Sequence, residues 1–194
     1  MLDQSELDKI DHEHLLTLYE ITRAMNSSLD FDEVLNIVLD STLEVTRAQR
    51  GFLVIADDDG TLRVKVGRSM DGDADEEIYS TTIVNQVVST RQSLLTNNAQ
   101  FDPRFKVGQS IIMKGLRAIL CAPMLVKDRL VGVIYVDTSI RTGSFKDSDL
   151  SLLNAVAGQA AVAIENARLY RVAVEKGRME RELQMARAIQ ESLL

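Results

Sequence analysis

The C-terminal stretch from Asp147 to Leu194 contains no proline, and its only glycines are Gly158 and Gly177. Because proline and glycine are the residues that most often end a helix, this stretch predicts one continuous helix. Asp147 and Asp149 stand where negative charge favours a helix N-terminus. At 1.5 Å per residue, the helix would be about 70 Å long. One compact domain cannot cover that length, so we expect part of the helix to extend beyond it.

The two halves of this predicted helix differ in composition. The first half, Leu150 to Tyr170, is apolar and rich in alanine, and we expect it to cover a sheet on one side and a partner helix on the other. The second half is highly charged, and its apolar residues follow heptad-compatible steps at Met179, Leu183, Ala186 and Leu193. Two heptads leave both a paired coiled coil and a solvated single helix open. We favour the coiled coil, because an isolated helix of this length needs tertiary support.

Two shorter helices are predicted at the start of the chain. Apolar residues from Leu15 to Met25 recur at a helical spacing. A second helix starts after Asp30, which forms a capping-box pattern with Glu33. The two helices are separated by a break around Asn26–Ser28.

Hairpin patterns follow these helices. The runs Phe52–Ala56 and Leu62–Gly67 are rich in strand-forming residues and are separated by an acidic turn. Ala118–Val126 and Leu130–Asp137 form the best-marked hairpin, and Gly132 in its second strand indicates close backbone packing. A short helix and a short strand lie between the hairpins, at Thr82–Thr90 and Ser93–Thr96. Antiparallel hairpins with helices at both ends of the sequence imply an α+β fold, in which helices pack on an antiparallel sheet.

Composition excludes several classes of function. A formal net charge of −7 argues against nucleic-acid binding, because that affinity depends on Lys and Arg neutralising phosphates. No apolar run approaches the roughly 20 residues that cross a bilayer, and the polar, acidic N-terminus does not resemble a secretory signal. The lone Cys121 excludes an internal disulfide. We therefore expect a cytoplasmic protein without a nucleic-acid or membrane partner.

No set of residues in the sequence predicts catalysis or metal binding. The two histidines, His12 and His14, lie before the globular part, and a separation of two residues does not place both on one helix face. Cys121 lies in an apolar strand without a nearby histidine, which is typical of a buried thiol rather than a nucleophile. We expect no catalytic and no metal-binding residues in this chain.

One polar segment is a candidate for binding a small molecule. From Asn97 to Gly115, amide, hydroxyl and charged side chains gather around Phe101, Phe105 and Ile111. A loop of this length in a compact domain is usually functional or disordered. This mixture of side chains is typical of the wall of a ligand pocket. A surface loop that is anchored by its aromatic residues is an equally good interpretation of the composition.

Three stretches of the sequence, taken together and in order, carry a family resemblance. They are the loop Asn98–Phe105, the hairpin Leu120–Met124 with Leu130–Ile134, and the helical residues Phe145, Asp149 and Ala161–Tyr170. Over roughly Leu15 to Tyr170 they resemble the GAF family of sensory domains. The resemblance implies an antiparallel sheet with a ligand pocket on one face, roofed by the segment from Asn97 to Gly115. It also implies homodimers that are formed by the flanking helices.

The same resemblance does not name the ligand, since GAF domains bind cyclic nucleotides, haem, bilins and other small molecules. Members that bind cyclic nucleotides carry an Asn-Lys-Phe-Asp-Glu signature. Here Phe145 and Asp149 are present, whereas Asp137, Thr138 and Leu150 replace the Asn, the Lys and the Glu. The ion pair between that Lys and that Glu cannot form. No cofactor is therefore assigned, and a cyclic nucleotide stays open among unidentified small-molecule ligands.

The C-terminal residues carry a second resemblance. Arg181–Leu194 is similar to the helix that leads into bacterial metal-dependent serine/threonine phosphatases of the sporulation stage II E type. This resemblance implies a phosphatase as the C-terminal output domain, and the alternative is an ordinary amphipathic helix. The expected domains are an N-terminal dimerisation helix at 1–28, the GAF domain at 29–170, and a coiled-coil-like linker towards the output domain at 171–194.

These resemblances imply a non-catalytic sensor that dimerises and regulates an output module. We expect Phe105 and Tyr135 to wall the ligand, and Asn98 and Ser110 to hydrogen-bond it. The candidate ligand-binding residues are Phe52, Asn98, Asp102, Phe105, Ser110, Ile111, Ala118 and Tyr135. A ligand-free scaffold for dimerisation or protein contact is the main alternative. Reduction of free methionine sulfoxide, an activity of some GAF-fold proteins, uses several cysteines, and this chain has only Cys121.

Overall fold

The computed structural model describes residues 4–69, 72–73, 79–99, 102, 118–138 and 145–192. Within these ranges lie four helices and six strands. In chain order they are α1 (Gln4–Met25), α2 (Phe31–Thr46), β1 (Arg50–Ala56), β2 (Leu62–Ser69), β3 (Gly72–Asp73), α3 (Thr81–Thr90), β4 (Leu94–Thr96), β5 (Ala118–Val126), β6 (Arg129–Thr138) and α4 (Asp147–Ser192). The expectation of two N-terminal helices, antiparallel hairpins and one long C-terminal helix is therefore confirmed.

The strands form one antiparallel sheet in the order β3-β2-β1-β6-β5-β4. β1 pairs with β2 on one side and with β6 on the other, and β5 lies between β6 and β4. This is the α+β arrangement that the sequence predicts. Only β3 is unexpected, because two residues are too few to show an alternating pattern.

Helices cover one face of the sheet and build the larger part of the core. Successive residues of a strand point to opposite faces, so alternate residues of β1, β5 and β6 meet the helices. The alanine-rich first half of α4 lies against β5, as the sequence predicts, because small side chains allow a close approach. The buried residues of this α4 layer include Leu53, Ile55, Leu120 and Val136 from the strands and Val34, Leu35, Leu153 and Val156 from the helices.

The start of α2 is defined by its cap. Asp30 Oδ1 accepts a hydrogen bond from the Glu33 backbone N at 2.8 Å, which is the first half of the predicted capping box. In place of a direct return bond, Ser28 Oγ accepts from the Asp30 backbone N at 3.0 Å and donates to Glu33 Oε2 at 2.6 Å. The hydroxyl therefore completes the box as a relay, and Phe31 and Val34 turn into the core.

β6 passes very close to β1 at Gly132. A Cβ atom at this position would lie 2.4 Å from the Val54 carbonyl oxygen and 2.9 Å from the terminal methyl of Met124. The first of these neighbours is backbone and cannot move aside without displacing the strand. Only glycine fits here, so the close packing that the sequence predicts at Gly132 is confirmed.

α4 leaves the domain after its first half. It has 46 residues, which corresponds to about 70 Å. From Arg171 to Glu191 every residue is exposed apart from Gly177, which is partly buried. The extension beyond the domain that the helix length predicts is therefore confirmed. No helix in the described ranges is both long enough and apolar enough to span a membrane.

Two hairpin turns at one end of the sheet are ion-paired to α4 just before it leaves the domain. Arg129, at the β5–β6 turn, contacts Glu165 at 2.5 Å. Asp58, in the β1–β2 turn, contacts Arg168 one helical turn later. Because both turns belong to the sheet, these contacts connect the helix to the sheet just before it leaves the domain.

Candidate functional site

The face of the sheet opposite the α4 layer carries a second buried cluster, which we call the α3 face. Phe52 and Val54 of β1, Val133 and Tyr135 of β6, and Cys121 of β5 lie on it. The helix α3 covers these strand residues with the buried side chains Ile83, Val84 and Val87. The sheet is therefore buried on both faces, and different elements cover the two sides.

Three aromatic rings meet on the α3 face. The ring centroids of Phe52 and Tyr135 are 6.0 Å apart, and Tyr79 lies 5.7 Å from Phe52 and 6.1 Å from Tyr135. Aromatic pairs at such separations attract each other in tilted and edge-on arrangements. The structure thus brings together two of the residues that the sequence analysis proposes, Phe52 and Tyr135, and adds a third ring.

Tyr79 is absent from the sequence analysis, although a signal for it exists. α3 begins with Ser80 as N-cap, whose Oγ accepts from the Ile83 backbone N at 3.4 Å. The residue before an N-cap often packs on the residue at the fourth helical position, which is here Val84. Tyr79 packs in the same cluster as Val84. The cap pattern therefore identifies the third ring.

A buried ion pair lies two residues beyond Tyr135 in β6. Arg50 donates from Nε to Asp137 Oδ1 at 2.8 Å, and Arg50 Nη2 lies 2.7 Å from the same oxygen. The Asp137 side chain is fully buried. Neither Asp137 Oδ2 nor the Tyr135 hydroxyl has a hydrogen-bond partner among the described residues. We call Arg50, Asp137 and the Tyr135 hydroxyl the polar end of the α3 face.

Burial raises the pKa values of the two acidic groups of the polar end, Asp137 and Tyr135. It raises the pKa of Asp137 to about 6, although the charge and hydrogen bond of Arg50 oppose that rise. Burial also raises the pKa of the Tyr135 hydroxyl well above its usual value, and the neighbouring Asp137 carboxylate adds to the effect. At neutral pH the polar end therefore contains one neutral hydroxyl and one ionised carboxylate. Like Asp137 Oδ2 and the Tyr135 hydroxyl, the buried Arg50 Nη2 makes no hydrogen bond to a described residue, although it is ion-paired with Asp137 Oδ1.

Asp137 is not among the pocket residues that the sequence predicts. An aspartate is almost never fully buried unless it is paired, so a carboxylate at the end of the apolar run Val131–Val136 is a signal in itself. What the sequence does not show is the pairing partner. Arg50 stands opposite Asp137 only in the register of β1 against β6.

Ala118 is placed differently from the expectation. It lies in the α4 layer of the core, on the other face of the sheet from Phe52 and Tyr135. This corrects the assignment of Ala118 to the pocket. The physical reason is that β5 is apolar on both faces. Polar and apolar residues therefore do not alternate along it, and its sequence does not show which residues face α3.

The other proposed pocket residues belong to the segment between β4 and β5. Asn98 is exposed and Asp102 is partly buried. Phe105, Ser110 and Ile111 lie outside the described residues, so their assignment to the pocket stays a prediction.

The residue before this group ties β4 to the start of α4. Asn97 Nδ2 donates to the Phe145 carbonyl oxygen at 2.8 Å, and the Phe145 backbone N donates to Asn97 Oδ1 at 3.1 Å. Ser93 Oγ also donates to Asn154 Oδ1, within α4. The segment that follows β4 therefore begins at a residue that is bonded to the entry of the long helix.

The surroundings of Cys121 suppress thiol reactivity. Cys121 is fully buried, and burial raises the pKa of its thiol, so the reactive thiolate is suppressed. His12 and His14 lie on α1. Within the described part of the chain, no three His, Cys, Asp or Glu side chains are grouped so that they could hold a metal ion.

A second concave feature is an open groove of about 430 Å³ between the β1–β2 turn and α4. Four of its charged groups are already paired. Lys65 lies 2.9 Å from Asp57, and Arg168 is paired with Asp58. These ion pairs leave fewer of the groove's charged groups available to a ligand.

Comparison with known proteins identifies relatives in signalling. A family model described as GAF domain matches residues 28–165. Hybrid signal transduction histidine kinase G of Dictyostelium discoideum is 30% identical over 89 residues, which are 46% of this chain and 3% of that protein. The Nif-specific regulatory protein of Azospirillum brasilense is 25% identical over 172 residues, which are 84% of this chain and 27% of that protein. The chain thus spans less than a third of the length of either relative.

Solved structures show the same fold. The GAF domain of the cyanobacteriochrome TePixJ matches with a TM-score of 0.64 and 14% identity, over 75% of this chain and 95% of that one. The GAF domain of an Acinetobacter phosphoenolpyruvate-protein phosphotransferase matches with a TM-score of 0.62 and 17% identity, over 87% and 97%. Because the family model also matches more than half of the residues, the chain belongs to the GAF domain family.

Proposed function

We propose that this chain is a non-catalytic sensory module, in which a small molecule binds on the α3 face and α4 carries the signal to a C-terminal output module. The observation that supports ligand binding is the polar end, where Asp137 Oδ2 and the Tyr135 hydroxyl are buried without a hydrogen-bond partner among the described residues. Buried polar groups are nearly always hydrogen-bonded. These two atoms are therefore the natural contacts of a bound molecule.

The surroundings of the polar end suit a small ligand. Phe52, Tyr79 and Tyr135 supply an apolar aromatic wall beside it. Small-molecule sites are mostly apolar and carry a few placed polar groups. In this proposal the segment from Asn97 to Gly115 forms the roof and contributes the residues that the sequence analysis assigns to the pocket.

The proposed route of the signal runs through Asn97. Its side chain makes two hydrogen bonds to the backbone of Phe145, which lies two residues before the start of α4. A ligand that reorders the roof segment would therefore pull on the entry of the helix. Such a ligand acts only if it binds one of two arrangements of this connection more tightly than the other.

A second copy of the chain is the proposed partner of the exposed helices. Apolar residues on α4 that are exposed in the single chain follow steps of seven, three, seven and four, at Val162, Leu169, Val172, Met179 and Leu183. These steps fit the a and d positions of a heptad. α1 exposes Leu15 and Tyr19. A parallel homodimer through α1 and α4 would cover both stripes and would deliver two helix ends side by side.

The proposed output is a metal-dependent protein serine/threonine phosphatase. This part of the proposal rests on the similarity of Arg181–Leu194 to the helix that leads into such enzymes. The two relatives named above place the matching region in a histidine kinase and in a regulatory protein. Outputs of those kinds are therefore the alternatives, and a cytoplasmic location is common to the proposal and to its alternatives.

A ligand-free scaffold is the second candidate function. It is favoured by the complete burial of Phe52 and Tyr135 in a cluster that α3 already covers. In that case the α3 face is ordinary core, and only the helices act, by joining two chains. A cyclic nucleotide is one candidate ligand for the sensor.

Native mass spectrometry of the purified chain, alone and with cyclic AMP or cyclic GMP, separates these candidates. The sensor predicts a dimer that carries a discrete extra mass on each subunit or gains one nucleotide for each subunit. A dimer without added mass in any condition would favour the scaffold. A monomer at all concentrations would overturn the relay through paired helices.

A further inference from the structure

The exposed apolar stripe of α4 is interrupted by one charged residue. Between Leu169 and Ala186 the a and d positions of the heptad are six residues, which we call the α4 seam: Leu169, Val172, Lys176, Met179, Leu183 and Ala186. All of them are exposed in the single chain, and only Lys176, at an a position, is charged. A lysine at a single a position lowers the stability of a coiled coil but specifies its register and its number of helices.

Two acidic residues lie on the edges of the seam beside Lys176. Glu175 precedes it at the g position, and Glu180 follows at the e position. In the projecting half of α4, the one ion pair among the described residues joins Arg178 to Glu182. The three charges around Lys176 are therefore available for contacts with a second chain.

A parallel pair of α4 helices in register brings these charges together. Each a residue is then flanked by the preceding g residue of the other helix, so Lys176 would lie beside the partner's Glu175. This contact forms twice, once on each side of the seam. It also offsets the repulsion between Glu175 and the partner's Glu180, which lies nearby. One heptad later, Glu182 would pair with the partner's Arg187.

An antiparallel pair is disfavoured by the same charges. Reversing one helix brings g positions beside g positions. With the seam fully overlapped, Glu175 would lie beside the partner's Glu182, which is a pair of like charges. The basic g residue of this stretch, Arg168, is already paired with Asp58 of its own domain. The charges on α4 therefore favour the parallel pair.

We propose that Lys176 and Glu175 form a reciprocal ion pair between two copies of this chain and thereby select the parallel, in-register arrangement of α4. The inference rests on the proposed function, because it assumes that α4 pairs with a second copy. It adds the residues that fix the orientation of the pair. The stem of Lys176 can stay in the apolar seam while its ammonium group reaches the glutamate at the edge.

The orientation of the two helices can be measured on the full chain. Ala188→Cys places a spin label at an exposed f position, which faces away from the seam, and Cys121 is fully buried and out of reach of the label. In the parallel pair the two labels lie side by side. In the antiparallel pair with full overlap they are about 30 Å apart along the helix axis. Double electron–electron resonance separates these cases, and we expect the shorter distance.

A double-mutant cycle tests the ion pair itself. Lys176→Glu places like charges beside the partner's Glu175, so dimerisation should weaken by at least about a hundredfold. Adding Glu175→Lys to that variant restores opposite charges and should recover at least about tenfold. In the original chain, Glu175→Lys should not strengthen the dimer. Adjacent residues of one helix do not face each other, so this coupling has to arise between two chains.

Arg181→Glu is the matched control. It makes the same charge change as Lys176→Glu at an exposed f position, and it should leave the dissociation constant within about threefold of the original. Sedimentation velocity over a range of concentrations measures all these constants. Because the three substituted positions are exposed in the single chain, the fold should be unchanged, and circular dichroism checks this.

The possible results have separate meanings. The shorter label distance together with coupling between positions 175 and 176 supports the inference. If the chain dimerises with the longer distance, or if the effects of Lys176→Glu and Glu175→Lys simply multiply, the inference is wrong and dimerisation still stands. If the original chain stays monomeric at all concentrations, the inference and the dimeric part of the proposed function fail together.

Discussion

Single residues on the α3 face combine a hydrophobic wall with polar atoms that lack partners. A buried polar group without a hydrogen bond costs about 1–3 kcal/mol. Evolution could have removed that cost by placing phenylalanine at Tyr135 and an apolar residue at Asp137. Neither change is present. Buried polar groups without hydrogen bonds at two nearby positions lower the stability of the free chain, as expected for a binding site whose ligand supplies the missing hydrogen bonds.

Replacing Tyr135 by phenylalanine tests this directly. The hydroxyl has no partner among the described residues, so its loss should leave the free energy of unfolding unchanged or raise it by up to about 1 kcal/mol. Tyr135→Leu, which also removes the ring, should lower it by about 2 kcal/mol or more. Urea unfolding followed by circular dichroism gives both values. A loss above 1 kcal/mol for Tyr135→Phe would mean that the hydroxyl is bonded in the free chain.

Asp137 predicts how stability depends on pH. Its pKa is raised from 3.8 to about 6 in the folded chain, so the folded chain holds a proton that the unfolded chain releases. The stabilisation is fully present below pH 3.8 and is lost as pH rises through about 6, by up to about 3 kcal/mol. Asp137→Asn should flatten this part of the curve, and Asp128→Asn should not. Urea unfolding across the interval measures the slope, and a slope that survives in Asp137→Asn would assign it to another group.

Side-chain identity could be predicted here better than side-chain direction. Phe52 and Tyr135 are large, apolar strand residues, and the structure brings them together. Ala118 is on the opposite face because β5 is apolar on both sides and shows no alternation. The pair of Arg50 with Asp137 required the register between two strands that are distant in sequence. Sequence patterns report local periodicity, and they do not report which strands meet.

At the scale of elements, the close approach of β1 and β6 is the most sensitive contact of the sheet. Gly132→Ala would place a Cβ atom 2.4 Å from the Val54 carbonyl oxygen, so we expect a loss of about 2–3 kcal/mol in the free energy of unfolding. Gly158→Ala is the matched change, since nothing lies within 4 Å of its added atom. That change should stabilise the chain by about 0.5–1 kcal/mol. Thermal unfolding of both variants should show opposite shifts, and a neutral Gly132→Ala would contradict the contact.

The connection between β4 and α4 makes another prediction. Asn97→Ala removes two hydrogen bonds and leaves the backbone N–H and carbonyl of Phe145 without these partners. We expect a loss of about 1–3 kcal/mol, together with faster hydrogen exchange in the first turn of α4. Asn98→Ala, at an exposed neighbour, should change neither quantity. Equal hydrogen-exchange rates in the first turn of α4 in the two variants would show that Asn97 is not part of the proposed signal route.

Elements could be predicted where the sequence marks their limits, by an N-cap residue or by a long stretch without proline. Elements without such a signal could not be predicted. Asp30 and Ser80 mark the starts of α2 and α3, and both act as N-caps. The absence of proline after Asp147 indicates a long α4, and the helix has 46 residues. β3 has two residues and no pattern of its own, because its existence depends on pairing with β2.

At the scale of the whole molecule, the exposed half of α4 predicts the oligomeric state. Leu183 is 57% exposed in the single chain and lies on the heptad stripe. Leu183→Asn should weaken the proposed dimer by at least about a hundredfold, because it places two polar groups in the apolar seam. Gln184→Asn, one position away from the stripe, should leave the dimer unchanged. Sedimentation velocity over a range of concentrations measures both, and a dimer that is indifferent to Leu183→Asn would place the interface elsewhere.

The double role of α4 limits how this molecule can move. Its first half is a wall of the core, and its second half projects into solvent without a break between them. No break separates the two halves, so a displacement of the first half at the domain is carried to the far end as a tilt of one continuous helix. The projecting part is roughly 30 Å long, and a tilt of about 5° at its base would therefore swing its tip by roughly 3 Å. A rearrangement smaller than one side chain at the sheet thus becomes, at the tip, a displacement comparable to a hydrogen bond length.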